Sequence, residues 1–121
     1  MLIIPEHSYE DGGWCSEGFK QNPGAGVLLA DTGPLIKGLY SFTVLFASFT
    51  GANMWAELQH RNAVNNATLH CQRIQCYFPN PPMPYPFLLH DIDEDERIRC
   101  VMITAGAVDI QVSILWARRY S

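Results

Sequence analysis

The chain has 121 residues, 48% of them hydrophobic and only 17% charged, with a formal net charge of −4. That length holds one domain, and a charge content below the roughly 25% usual in soluble domains implies a surface partly covered by partners. The eight Lys and Arg residues are spread along the sequence without a basic stripe, which argues against nucleic acid, and no apolar run reaches the roughly 18 to 20 residues that span a bilayer.

Residues 1–25 carry Pro5, Gly12-Gly13, Gly18, Pro23 and Gly24 between isolated large groups at Tyr9, Trp14 and Phe19, with neither helical nor strand periodicity. They are expected to form an extended N-terminal arm whose backbone adds little to a sheet, ahead of a β-domain over residues 26–121. A purely disordered tail would lack aromatics, so Trp14 and Phe19 are expected to dock, on this domain or on a neighbour. The first residues show neither a basic leader nor a small-residue cleavage site, so synthesis in the cytoplasm and reduced cysteines are expected.

From Gly26 the chain falls into short runs separated by turn signals. Gly26–Asp31 ends in Thr32-Gly33-Pro34, and Leu39–Thr50 ends in Gly51-Ala52-Asn53. In the second run Tyr40, Phe42, Val44 and Phe46 share one face opposite Ser41 and Thr43, the period-two pattern of a strand with a buried side. Leu45 and Phe49 fall on the outer side, which predicts a partly covered outer face. Met54–Arg61 alternates likewise, and Thr68–Phe78 follows an Asn-rich loop. Five prolines within residues 79–86 remove ladder donors and confine that segment to an edge or an end. Phe87–Ile92, a solvated acidic turn at Asp93–Glu96 and Arg97–Thr104 come next. In the last run Val108, Ile110, Val112, Ile114 and Trp116 alternate with Asp109, Gln111 and Ser113. Seven short runs without a sustained helical period predict an all-β, antiparallel sandwich or barrel.

Catalytic and metal motifs are sparse. Asp31-Thr32-Gly33 after an apolar run resembles the catalytic loop of aspartic proteases, including the small retroviral kind, but Pro34 follows at once. A turn in which Asp31 bonds local backbone is the expected role. The histidines His7, His60, His70 and His90 lie far apart, and Cys71 and Cys76 are placed to point to opposite faces. No nucleophile elbow or phosphate loop is present, so no catalytic residue, cofactor or metal is assigned.

The arm, the loop Arg61-Asn62-Ala63-Val64-Asn65-Asn66-Ala67, the stretch Asp93-Glu94-Asp95-Glu96-Arg97-Ile98-Arg99 and the ending Ser113-Ile114-Leu115-Trp116-Ala117-Arg118 together resemble the small structural proteins of tailed-phage virions. The nearest in kind are jelly-roll cement or decoration proteins on the outside of the head. The resemblance implies a jelly-roll-like β-sandwich without catalysis. It would form homo-oligomers, with a trimer expected, bind major capsid protein and reside on the capsid exterior. Trp14 and Phe19 in the arm, and Met83 and Tyr85 in the proline segment, are the expected contact residues. A tail-fibre or receptor-binding sandwich, a small viral-type aspartic protease using Asp31 and an intracellular ligand-binding barrel are the competing classes.

Overall fold

A computed structural model describes residues 9–48, 54–76, 84–104 and 108–119. They form nine strands: β1 (Tyr9–Cys15), β2 (Lys20–Gln21), β3 (Leu28–Asp31), β4 (Gly38–Ser48), β5 (Met54–Arg61), β6 (Thr68–Cys76), β7 (Pro84–Ile92), β8 (Arg97–Met102) and β9 (Asp109–Arg119). Among the described residues there is no helix, hence none long and apolar enough to cross a membrane.

The strand pairing is nested. β1 and β2 pair with β9, β3 with β8, β4 with β7 and β5 with β6, all antiparallel. This is one long hairpin with the β5–β6 turn at its tip. Rolling it up adds the β4–β9 and β5–β8 ladders and closes two sheets, ordered β1-β9-β4-β7, with β2 also on β9, and β3-β8-β5-β6. The protein is therefore an all-β antiparallel sandwich with jelly-roll connectivity.

The alternation of the long strands positions the core. Tyr40, Phe42, Val44 and Phe46 of β4 and Ile110, Val112 and Ile114 of β9 are buried in one cluster with Met54, Ala56 and Leu58 of β5 and Ile98, Cys100 and Met102 of β8. Each large apolar side chain so buried stabilises the fold by roughly 1.5–3 kcal/mol before entropy is counted. Tyr40 and Phe42, two residues apart on one face, stack with ring centroids 5.5 Å apart. The Tyr40 hydroxyl donates to the Ile36 carbonyl at 2.6 Å, which lets a phenol sit in the core without an unpaired oxygen.

The N-terminal segment is extended, but the expectation that its backbone adds little to a sheet is corrected. From Asp11 to Cys15 it pairs residue for residue with Arg118 to Ile114 of β9, and Lys20-Gln21 pair with Ile110 and Asp109. It lacks a period-two apolar pattern because a glycine, Gly13, stands at the inward position between Asp11 and Cys15. A Cβ on Gly13 would lie 2.6 Å from Cζ2 of Trp116, so the half-buried indole occupies the space a side chain would need. The segment also reaches the other sheet, where the Glu17 amide donates to the Leu29 carbonyl at 3.1 Å and the Gly26 amide to the Met102 carbonyl at 2.7 Å.

Of the proline segment, residues 79–83 lie outside the described residues, and its last part opens β7. Pro84 and Pro86 pair in register with Leu45 and Thr43, on a strand that forms the edge of its sheet. An edge strand has one side free of ladder bonds, so a missing donor there is tolerated. The acidic turn is only partly solvated. Asp93, Glu94 and Asp95 are exposed, whereas Glu96 is buried, because its carboxylate has two partners inside the protein. Asp95 has φ 65°, a left-handed conformation that Asp accepts better than most residues.

Candidate interaction face

The outward positions of the β1-β9-β4 region follow from the same alternation. β4 turns Leu39, Ser41, Thr43 and Leu45 away from the core, β9 turns Gln111, Ser113, Leu115 and Ala117 away, and β1 adds Gly12 and Trp14. Trp14 pairs with Leu115, which pairs with Thr43. Gly12 pairs with Ala117, which pairs with Ser41. None of these ten residues is charged. Trp14 is 69% exposed and Leu115 38%. A solvated sheet face ordinarily alternates apolar inside with polar and charged outside. Charged residues enter this face only towards its ends, at Asp109, Arg119 and Asp91, and an uncharged middle with an aromatic standing on it has the composition of an interface centre.

Of the four expected contact residues, Trp14 is on this face. Phe19, 52% exposed, stands just before β2, on the same edge of the sheet. Tyr85 pairs by its backbone with Val44 on β7, at the opposite edge, and Met83 lies outside the described residues. About three strand spacings of 4.8 Å separate β1 from β7, so the strands that carry Trp14 and Tyr85 lie at opposite edges of the sheet. The uncharged strips of β9 and β4 lie between them. Sequence alternation marked Leu45 as outward, but Leu115 became significant only once the register set it beside Trp14.

Asp31 is held as a turn residue. Its Oδ1 accepts the Gly33 amide at 2.8 Å, and Oδ2 faces Nη1 of Arg97 at 3.3 Å. Thr32 donates its hydroxyl to the Gly33 carbonyl at 2.8 Å and accepts the Ile98 amide at 3.1 Å. Gly33 takes φ 71°. Each atom of the Asp-Thr-Gly element is thus engaged in reversing the chain after β3.

The histidines are not as isolated as their spacing suggests. The β5–β6 register sets His60 opposite His70, and their rings stack with centroids 6.1 Å apart. His60, buried on the inner face, meets Oε1 of Glu96 through Nε2 at 2.8 Å, and the same oxygen accepts the Asp93 amide at 2.8 Å. Glu96 also borders a cleft of about 680 Å³ with Lys37, Leu39, Asp91, Ile92 and Asp93. Among the described residues no three His, Cys, Asp or Glu side chains gather in a way that could hold a metal ion. No single-sequence spacing rule links His60 to Glu96, since only sheet topology brings β5 next to the start of β8.

The thiols separate by environment. Cys15 has its pKa pushed up to about 11, chiefly by burial, Cys100 is fully buried and Cys71 is exposed on edge strand β6. The thiolate is the reactive form. With iodoacetamide at pH 8, Cys71 is therefore expected to be alkylated in the native protein. Cys15 should lag by about a hundredfold or more, because a rise from 9.0 to about 11 removes that much thiolate. Peptide mass spectrometry over a labelling time course measures both. Equal rates at Cys15 and Cys71 would mean that β1 is not docked on β9.

Fold and face together define a jelly-roll sandwich whose β1-β9-β4 face has an uncharged centre bearing Trp14. No protein-family model matches the chain, and no curated protein matches it.

Proposed function

We propose that the protein is a non-enzymatic virion structural subunit, a cement or decoration protein that binds major capsid protein through the outward face of β1, β9 and β4 and assembles as a homo-oligomer, with a trimer the expected state. The observation that carries the reading is Trp14, more than two-thirds exposed beside the uncharged centre of its sheet face. Burying such an indole contributes roughly 3–5 kcal/mol before ordering costs. The jelly-roll connectivity suits the role, because it offers two broad sheet faces for lateral contact, although the fold by itself hosts many functions. Many copies on one shell add by avidity, so a single modest contact suffices.

Trp14 projects outward and its removal empties no core site. Trp14→Ser is expected to leave the melting temperature within about 2 °C of the parent while weakening co-sedimentation with capsids of the encoding virus at least tenfold. Full binding by the variant would move the contact elsewhere. Failure of the parent protein to bind capsids, together with its absence from purified virions by mass spectrometry, would overturn the reading.

A further inference from the structure

The second sheet turns a very different face outward. Arg61 of β5, Arg97 and Arg99 of β8 and Arg73 of β6 all occupy outward register positions, so four of the chain's eight Lys and Arg residues lie on one surface. The even spread seen in the sequence becomes a cluster because strand order, unlike chain order, sets β8 beside β5 and β5 beside β6. Two carboxylates share the surface. Glu57 faces Arg73 at 3.2 Å and Asp31 faces Arg97 at 3.3 Å.

Three further contacts of this surface run through one buried amide. Oε1 of Gln59 accepts Arg99 Nε at 2.7 Å and Arg61 Nη1 at 3.3 Å, and its Nε2 donates to Glu57 at 2.7 Å. Arg61 also donates to Asn66 Oδ1 at 3.2 Å and to the Thr68 hydroxyl. These bonds aim the guanidiniums without neutralising them, and each guanidinium has five donors. No Nη2 group of Arg61, Arg97 or Arg99 bonds a described residue. Arg61 and Arg97 are moreover direct cross-strand partners, an arrangement of like charges that costs stability. Partial burial, and after it the charges of Arg99 and Arg97, lower the Arg61 pKa. A carboxylate arriving from outside would relieve that repulsion and match the guanidinium fork.

The chain itself supplies such a group. Asp91, Asp93, Glu94 and Asp95 are exposed around the β7–β8 turn, and among the described residues none of them is ion-paired. Arg97 of the same copy is taken up by Asp31 instead. The geometry points to an intermolecular contact in which the arginine face of one copy, centred on Arg61, Arg97 and Arg99, receives the acidic Asp91–Asp95 turn of a second copy. Acid and base are separate groups of one chain, so the contact can be repeated head to tail and close a ring. Nucleic acid fits this surface less well, since Glu57 and Asp31 interrupt it and the chain carries a net charge of −4.

The inference rests on the homo-oligomer reading and specifies its surface. The test is solution mass by light scattering and sedimentation across a concentration series at 50 and 500 mM salt. Three proteins are compared: the parent chain, Arg97→Glu/Arg99→Glu, and Asp91→Lys/Glu94→Lys. The parent is expected to associate at least tenfold more weakly at high salt, and each variant at least thirtyfold more weakly than the parent at low salt. An equimolar mixture of the two variants should regain association, because one supplies an intact acidic turn and the other an intact arginine face. Asp95 is left unchanged for its positive φ. The acidic-turn variant alters only exposed side chains, so it stays informative if the arginine variant misfolds. A parent that is monomeric at 100 μM in low salt would overturn both the inference and the homo-oligomer reading. An oligomer indifferent to both variants would overturn the inference alone.

Discussion

Removing residues 1–25 is expected to abolish cooperative folding. β9 is flanked by β1 and β4 in the intact sheet, and truncation would turn it into an edge along its whole length. The loss includes the pairing of Asp11 to Cys15 and of Lys20-Gln21, the cover that Gly13 gives to Trp116 and the bond from Glu17 to β3 on the other sheet. An exposed edge of β9 would also present a long row of unpaired donors and acceptors to other chains. The expected loss exceeds about 5 kcal/mol, comparable with the whole stability of a domain this size. Far-UV circular dichroism and a thermal melt measure it. A truncated chain that melts cooperatively within 5 °C of the full chain would show that the N-terminal strands merely rest on the sandwich.

Glu96→Ala is expected to destabilise the protein by about 3 kcal/mol, lowering the melting temperature by roughly 10 °C. The carboxylate is 11% exposed and its His60 partner 5%, and Oε1 is shared between the imidazole and the Asp93 amide. Truncation would leave His60 and the turn amide without that acceptor in a site that water scarcely reaches, and a stranded buried polar group costs more than its bond contributed. The double variant His60→Leu/Glu96→Leu should be less damaging than the sum of its single changes, because an apolar pair leaves no stranded charge. Additive losses in that cycle would mean that the 2.8 Å contact contributes no coupling.

The amino-acid sequence by itself determined the strands whose two faces differ. In β4 and β9, and in β5 from Met54 to Leu58, the inward residues are apolar at every second position, so burial of one face selects an extended backbone and its register. Pro84 and Pro86 announced an edge because they lack a donor, and Asp31-Thr32-Gly33 announced a turn by its local hydrogen-bonding chemistry. β1 was not legible. Its central inward position is Gly13, and the apolar surface it matches is the Trp116 indole, contributed by a residue about a hundred positions away. For the same reason only the tertiary structure decided the surfaces. Strand order set Trp14 beside Leu115, drew Arg61, Arg97 and Arg99 into one patch from separate strands, and buried Glu96 against His60. Those neighbours are chosen by which sheet faces pack together, and packing depends on contacts distant in sequence that no local pattern encodes.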